Sequence, residues 1–385
     1  MGSFVFEEAG GRRQEEGRPE AGYRQREIGM EGSRCNIATA GRMEGAASVA
    51  EGKGALPAVS VLISTRGRRE LLGKLLGTIR ELDYPAEFLE VVVVEETDDP
   101  QPPEGVRYLR IPCQNRGYGY TRNVALQNAS HEVVAFTDDD CLVERDWLRR
   151  LVEPLAQDPE LAGVAGAVRV QGDCWLGQCE FILGFPGGGL RYIAQSGGKW
   201  MPTGHLSTCN CAYRKAAVLE AGGFELGTRY GSEDSLLARR ISQRHRCLFA
   251  PQATVRHRPH RSLAEIFRWF VRRGRSEVEI SSQAPNRRRY LARVAVSSLS
   301  LRAVLLGAAG LALAGTVGAW ATLALLALLL AAYYLAMLGR FRYALRECTL
   351  VSWLATPMVK AVMDLGMDLG RGLAVREGLH RSRTT

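Results

Sequence analysis

The sequence predicts an α/β domain with a mostly parallel sheet, covered by helices on both faces and followed by C-terminal membrane helices. From Leu56 onward, short apolar runs rich in β-branched residues alternate with amphipathic stretches, a rhythm typical of βαβ units. Residues 303–338 form an uncharged apolar stretch, longer than the roughly 20 residues that one membrane span needs. The predicted regions are a disordered segment (1–55), the α/β domain (56–285), a two-helix transmembrane hairpin (286–345), and an interfacial amphipathic helix with a basic tail (346–385).

Buried strands are predicted where apolar runs are short and unbroken, and helices where apolar residues recur every three or four positions. The expected strands are 59–64, 89–96, 106–111, 133–137 and 163–170. The expected helices are 69–81, 119–129, 215–221, 234–244 and 263–280. Two glycine-rich runs, at 184–192 and 196–205, favour a mobile active-site loop over a core element.

The uncharged stretch divides at a Gly-Thr-Val-Gly sequence, residues 315–318, which predicts two spanning helices at about 296–315 and 319–338. Arginines flank the pair on both sides, so the positive-inside rule places both ends in the cytoplasm. The alternative is a buried helical hairpin of a soluble protein. The flanking arginines are Arg287, Arg288 and Arg289 before the hairpin and Arg340, Arg342 and Arg346 after it.

A further apolar segment, residues 350–373, differs from the two spans because it contains charged residues at helical spacing. Lys360, Asp364, Asp368 and Arg371 recur every three or four positions and therefore share one face of a helix. This pattern predicts a helix that lies in the membrane interface instead of crossing the bilayer.

The formal net charge of +9 is concentrated in residues 256–293 and near the C-terminus, beside the apolar segments. This distribution suits an anionic membrane surface or phosphate-bearing substrates. No nucleic-acid-binding module is recognisable, so nucleic acid is not an expected partner. The nine cysteines are scattered, and residues 1–30 lack the apolar core of a signal peptide, so we expect reduced thiols in a cytoplasmic domain.

Three consecutive acids, Asp138, Asp139 and Asp140, follow the predicted strand 133–137. Ligands of open α/β sheets bind in the crevice outside the carboxyl ends of the strands. Adjacent carboxylates at this position suit a divalent cation that holds a diphosphate. The alternative interpretation is that these acids cap the helix that follows, around residues 145–148.

Several motifs occur in a fixed order: VSVLISTRGR, VVVVEETDD, NRGYGYTRNVAL, FTDDDC with DWL, TCNCAYRK, GGF and GSEDSLLARR. In this order they resemble the family 2 glycosyltransferases of the GT-A fold, over about residues 57–260, in the membrane-anchored bacterial form. The resemblance implies a Rossmann-like GT-A catalytic domain at 56–285. It also implies inverting transfer of a sugar from a nucleotide-diphospho-sugar, with Mg²⁺ or Mn²⁺ as cofactor.

The resemblance assigns donor-binding roles to residues on three strand ends and one helix. Thr65, Arg66 and Arg68 occupy the turn beside the nucleotide, with arginine where the family has an aromatic residue. Glu95 matches an acid that binds the nucleoside, within Glu-Glu-Thr-Asp instead of the usual Asp-Asp-Gly-Ser. Arg122 matches an arginine near the nucleotide or diphosphate.

The acid triplet matches the family's Asp-x-Asp motif, which binds both nucleotide-sugar and metal. The resemblance places Asp138 near the ribose and the metal, and assigns Asp139 to the nucleotide-sugar. Asp140 is assigned to the metal, together with the downstream His257, whose neutral imidazole is a plausible ligand.

An inverting transfer needs a carboxylate that takes the proton of the acceptor hydroxyl. Glu233 and Asp234 match the family's Glu-Asp pair, and we expect Asp234 to be the base, with Glu233 as its neighbour or substitute. The simpler interpretation is that acids in a first helical turn stabilise the helix dipole.

The acceptor is expected to be lipid-linked or a cell-envelope glycan, because the membrane tail places the domain at the cytoplasmic face of a bacterial inner membrane. Residues 243–247 lack the tryptophan of the processive Gln-x-x-Arg-Trp motif, which indicates transfer of a single sugar. Two other functions remain open at this point: a sugar-nucleotide-forming nucleotidyltransferase, and a non-catalytic membrane scaffold.

Overall fold

A computed structural model describes residues 56–226, 228, 230–282 and 287–381. The predicted disorder of residues 1–55 lies outside this part of the chain. The strands are Val59–Thr65 (β1), Leu89–Glu96 (β2), Arg107–Ile111 (β3), Val133–Asp138 (β4), Cys141–Val143 (β5), Leu161–Val170 (β6), Met201–Pro202 (β7), Asn210–Arg214 (β8) and Arg246–His257 (β9).

Helices cover the sheet and continue into the C-terminal tail. They are Arg69–Arg80 (α1), Tyr118–Asn128 (α2), Trp147–Gln157 (α3), Trp175–Ile182 (α4), Gly189–Ser196 (α5), Lys215–Glu220 (α6), Glu233–Ser242 (α7), Leu263–Ser282 (α8), Arg287–Ser297 (α9), Leu299–Val317 (α10), Ala319–Arg340 (α11) and Leu350–Arg381 (α12).

All the strands belong to one sheet in the order β3-β2-β1-β4-β8-β6-β9-β5, with β7 beside β9. The first four strands are parallel, as predicted. Beyond them the sheet is mixed, because β8 runs antiparallel to both β4 and β6. The chain leaves β1 toward β2 on one side and returns to β4 on the other. This reversal creates a crevice between the carboxyl ends of β1 and β4.

The two faces of the sheet bury separate apolar clusters, so the predicted cover of helices on both faces is confirmed. Leu75 of α1 and Trp147 of α3 lie in the cluster on one face. Leu126 of α2 and Leu237 of α7 lie in the cluster on the other. Since side chains of a strand alternate between faces, the apolar run of β1 contributes to both clusters.

The glycine-rich runs predicted as a loop are partly helical, because residues 189–196 form α5. Residues 184–188 before this helix are turns, and residues 197–200 after it belong to no helix or strand. A mobile loop at these remaining residues stays a prediction. Gly188 has a φ of 92°, and a side chain there would meet the ring of Tyr192. Glycine is therefore needed at the turn that starts α5. In the sequence, a glycine required for this reason cannot be distinguished from a glycine of a loop.

The predicted spans coincide with α10 and α11 to within one helical turn. Both helices are long and apolar enough to cross a membrane, with mean hydropathies of 1.6 and 2.2. In the most apolar 18-residue segment of each helix, only 6% and 17% of the residues are buried in the protein. This exposure disfavours the alternative of a buried soluble hairpin, because such a hairpin would cover its apolar surface.

The long helix α12 lies against α8, so one of its faces is covered by protein and not by lipid. A side chain on Gly366 would approach within 2.8 Å of the carbonyl oxygen of Phe267, which shows how closely the two backbones meet. The predicted polar stripe forms ion pairs, for example Arg371 with Glu277 of α8 at 2.7 Å. An interfacial position of the remaining surface stays a prediction.

Candidate active site

The crevice at the ends of β1 and β4 collects most of the predicted functional residues. Ser64 lies opposite Asp138 in the parallel pairing of these strands. Thr65 is therefore next to the acid triplet, and its hydroxyl donates to Asp139 Oδ2 at 2.5 Å. The turn after β1 continues to Arg68, which contacts the triplet from the same side.

Asp139 is fully buried. It accepts hydrogen bonds from the Thr65 hydroxyl and from Arg68 Nε, the latter at 3.0 Å. Burial raises the pKa of Asp139 to about 6, and the Arg68 guanidinium opposes this rise. In this structure the carboxylate holds the Thr65–Arg68 turn, and the contact of Asp139 with the nucleotide-sugar stays a prediction.

Asp140 and His257 come together, as predicted for two metal ligands. Strand β5 pairs with β9 so that Cys141 is opposite His257, which brings His257 Nε2 to 3.4 Å from Asp140 Oδ1. That Oδ1 atom is buried and has no hydrogen-bond partner in the described chain. Asp140 Oδ2 accepts from Arg68 at 2.8 Å. One unpartnered carboxylate oxygen beside an imidazole nitrogen fits a divalent cation.

Asp138 is turned away from this pair and contacts Arg122 at 3.1 Å. No cluster of three or more metal-binding side chains is found among the described residues. Mg²⁺ commonly binds through one or two carboxylates plus substrate phosphates. The residues present therefore fit a cation that takes some of its ligands from the protein and the others from a diphosphate, and not a cation bound by protein side chains alone.

Arg122 joins the acid triplet to the predicted catalytic pair. Its side chain is 8% exposed and forms ion pairs with Asp138 and with Glu233. Burial lowers the pKa of Arg122, but the neighbouring Glu233 and Asp138 more than offset this effect, so the pKa is raised overall. Arg122 therefore stays charged and holds two carboxylates from different parts of the chain.

Glu233 and Asp234 differ in their surroundings although they are adjacent at the start of α7. Glu233 is buried and paired with Arg122. Burial raises its pKa, and the Arg122 guanidinium opposes the rise. Asp234 is half-buried, and it accepts from the Ser235 backbone N–H at 2.6 Å and from the Ser207 hydroxyl at 3.4 Å. Of the two acids, Asp234 is more accessible to a second substrate.

Glu95, near the end of β2, and Arg66, in the turn after β1, differ in their surroundings. Glu95 is buried, and Tyr108 donates to its Oε2 at 2.6 Å. The other oxygen, Oε1, has no hydrogen-bond partner in the described chain. Arg66 is exposed, and its Nε lies 3.9 Å from Glu96. An acceptor oxygen and an exposed guanidinium are thus placed where the resemblance puts the nucleoside.

Three residues at the site were not predicted from the sequence. Tyr108 holds Glu95, and Ser207 contacts Asp234. Glu96 accepts from the backbone N–H groups of residues 114 and 115 at 2.9 and 2.7 Å, and so shapes the chain before α2. Only Glu96 had a signal, its position next to Glu95. The other two come from distant segments without a motif.

Arg122→Gln is expected to lower the free energy of unfolding by about 3–5 kcal/mol, because it leaves Glu233 buried without its cation. Unfolding of the detergent-solubilised protein by urea measures the change. Arg116→Gln is the control, because Arg116 is exposed and lies over the ring of Tyr120 at 4.7 Å. Equal stability of the two variants would contradict the structural role of Arg122.

The mixed sheet, the acid site beside His257 and the separate acid pair agree with the predicted sugar-transferring class of enzyme. The model of glycosyl transferase family 2 matches residues 60–220. Over this range the chain is similar to the family 2 glycosyltransferases. The matched range includes the acid triplet and Arg122, whereas Glu233, Asp234 and His257 lie beyond it.

Two curated relatives match about half of the chain. One is the succinoglycan biosynthesis protein ExoM of Rhizobium meliloti, 26% identical over 223 residues, covering 54% of this chain and 68% of ExoM. Another is the glucosyl-dolichyl phosphate glucuronosyltransferase of Haloferax volcanii, 26% identical over 242 residues, covering 55% and 72%.

The fold is similar to that of the mannosyltransferase PcManGT from Pyrobaculum calidifontis, solved in complex with GDP-Man and Mn²⁺. The TM-score is 0.51 at 24% identity, over 80% of this chain and 87% of that one. This similarity confirms the predicted GT-A fold. The sequence similarity to glycosyltransferases favours this class over the alternatives of a nucleotidyltransferase and of a scaffold.

Proposed function

We propose that this chain is a membrane-anchored, metal-dependent, inverting glycosyltransferase that moves one sugar from a nucleotide-diphospho-sugar to a membrane-proximal acceptor. The observation that carries the proposal is the ion-paired unit of Asp138, Arg122 and Glu233. It joins the strand-end acids to the start of α7. A donor held at the strand ends would thus have its sugar beside Asp234.

On the donor side, the exposed Arg66 and the unpartnered Glu95 oxygen are placed to contact the nucleoside. Asp140 and His257 would hold Mg²⁺ or Mn²⁺, which when bound supplies positive charge against the diphosphate. Arg68 contacts Asp140 at 2.8 Å and fixes the orientation of this ligand. Fixed hydrogen bonds of this kind orient a metal ligand before the metal binds.

On the acceptor side, Asp234 takes the proton from the attacking hydroxyl while the sugar–phosphate bond breaks. Its Oδ1 accepts from the Ser235 backbone N–H, and the Ser207 hydroxyl contacts Oδ2. These bonds hold the carboxylate in one orientation, which general-base catalysis requires. Glu233 is committed to Arg122 and serves to position its neighbour.

The acceptor is proposed to be lipid-linked or a cell-envelope glycan. The two exposed apolar helices directly after the domain support this proposal, because they would keep the site at a bilayer surface. The names of the two relatives support the same classes of acceptor: one is named for succinoglycan biosynthesis, and the other for sugar transfer to a glucosyl-dolichyl phosphate. The lack of the processive tryptophan supports transfer of one sugar per acceptor.

A bacterial inner membrane with the catalytic domain on the cytoplasmic side is the proposed location. Reporter fusions after residue 290 and after residue 345 are both expected to report cytoplasm, since arginines flank both ends of the hairpin. A periplasmic signal from either fusion would contradict the hairpin topology.

The proposed activity is tested by incubating membranes that contain the protein with a panel of UDP-, GDP- and other nucleotide-sugars. Mass spectrometry of the extracted lipids and glycans is expected to detect one added sugar unit. Addition of long polymers, or no transfer from any donor, would contradict the proposal. Membranes with the Asp234→Asn variant provide the control for transfer by other enzymes.

A further inference from the structure

The turn that leads into the catalytic acid pair has an unfavourable backbone conformation. Gly231 has a φ of 101° and Ser232 a φ of 74°. Serine has a Cβ that crowds the following carbonyl in this left-handed region, so such a residue persists only when its surroundings hold it. Ser232 immediately precedes Glu233 and Asp234, so its conformation sets the direction in which α7 starts.

The group that holds this turn comes from α8, outside the range matched by the family model. Ser276 is fully buried, and its hydroxyl donates to the carbonyl oxygen of Gly231 at 2.7 Å. The Ser276 Oγ atom also lies 2.8 Å from the hydroxyl of Ser232. One side chain therefore contacts both residues of the strained turn, and the side chain of Ser232 itself makes no cap on α7.

The helix that carries Ser276 is in turn fixed by α12. The backbones approach closely because glycines lie at the contact on both helices, at Gly274 of α8 and Gly370 of α12. Glu377 near the end of α12 accepts from the Tyr230 hydroxyl at 3.2 Å and pairs with Arg275 of α8, also at 3.2 Å. The turn, α8 and α12 thus contact one another directly.

We propose that Ser276 is a positioning residue for the glycosyl transfer: it fixes the Gly231–Ser232 turn and thereby aims the Asp234 carboxylate at the acceptor hydroxyl. The inference rests on the proposed function, in which Asp234 is the base. Proton transfer needs hydrogen-bond reach, and small displacements of reacting groups have large effects on rate. The helix pair next to the membrane tail is then part of the catalytic apparatus.

Ser276→Ala is expected to lower turnover by about 10–10²-fold, the effect of displacing a reacting group by about an ångström. Affinity for the nucleoside diphosphate with Mg²⁺, measured by calorimetry, is expected to stay within about twofold, because donor contacts lie at the strand ends. The matched control is Ser281→Ala. Ser281 lies on the same helix, but its hydroxyl donates to the Val278 carbonyl of that helix at 2.9 Å.

A second measurement separates positioning from a general structural role. If Ser276 acts through Asp234, Ser276→Ala has little further effect in an Asp234→Asn background, so the two effects are strongly non-additive. A general loosening of the domain would instead lower turnover again in that background, and would weaken nucleotide binding as well.

Wild-type turnover of Ser276→Ala, additive effects in the double variant, or parallel loss of nucleotide affinity would each overturn the inference. If Ser276→Ala does not fold, Ser276→Cys provides the same test, since a thiol keeps a similar size but is only a weak donor. Asp234→Asn is measured first. Wild-type turnover of that variant would refute the proposed base, which distinguishes failure of the function from failure of the positioning role.

Discussion

Asp234→Asn is expected to lower turnover by about 10²–10⁴-fold, the usual contribution of a positioned acid–base group. The amide keeps the shape of the side chain and can still accept from the Ser235 N–H, but it cannot take a proton. Donor affinity is expected to change little, because Asp234 makes no ion pair with Arg122, whose partners are Asp138 and Glu233. Steady-state kinetics and calorimetry with the nucleoside diphosphate and Mg²⁺ measure the two quantities.

Glu233→Gln is the comparison for this prediction. It removes the charge that pairs with Arg122, so it is expected to weaken folding as well as turnover. If Asp234→Asn keeps near-normal turnover while a folded Glu233→Gln is inactive, the roles of the two acids are exchanged. If both variants keep normal turnover, the acid pair is structural and the proposed mechanism is wrong.

EDTA is expected to abolish transfer, and Mg²⁺ or Mn²⁺ to restore it. Asp140→Asn is expected to weaken the affinity for the nucleoside diphosphate in the presence of metal. Asp234→Asn, in contrast, is expected to lower turnover and to leave this affinity nearly unchanged. The reason is that Asp140 has the unpartnered oxygen beside His257. Loss of a metal ligand weakens metal binding, and with it the positive charge that stabilises the bound diphosphate.

The matched control is Asp146→Asn, because Asp146 is an acid close in sequence whose ion pair with Arg150 is half-exposed. It is expected to leave metal-supported affinity unchanged. Full turnover in EDTA, or unchanged metal-supported affinity of Asp140→Asn, would exclude the proposed metal site.

Elements with strong local patterns were predicted from the sequence almost to the residue. These elements are the β-branched runs of β2 and β4 and the apolar helices α10 and α11. Their local sequence is enough to predict them, because burial or membrane insertion stabilises nearly every residue in them. The antiparallel strand β8 was recognised only as a motif. Its five residues carry no period, and its place between β4 and β6 depends on partners far along the chain.

The acid triplet shows the same limit within the site. The sequence predicts three acids at a strand end but not their directions. In the structure Asp138 faces Arg122, Asp139 is buried against Thr65, and Asp140 faces His257. Only Asp138 belongs to β4, whereas Asp139 and Asp140 lie in the turn before β5, where strand periodicity no longer predicts side-chain directions. Ser276 had no sequence signal, since its contact depends on how α8 packs.

The anomeric configuration of the first product tests the central claim most directly. We propose direct attack by an acceptor hydroxyl that Asp234 deprotonates, which inverts the anomeric carbon of the donor sugar. NMR of the isolated product, formed from an α-linked nucleotide-sugar with Mg²⁺ or Mn²⁺, is expected to show a single β-linked sugar. An α-linked product would contradict the account, because retention requires a different mechanism from the one that this site is proposed to support.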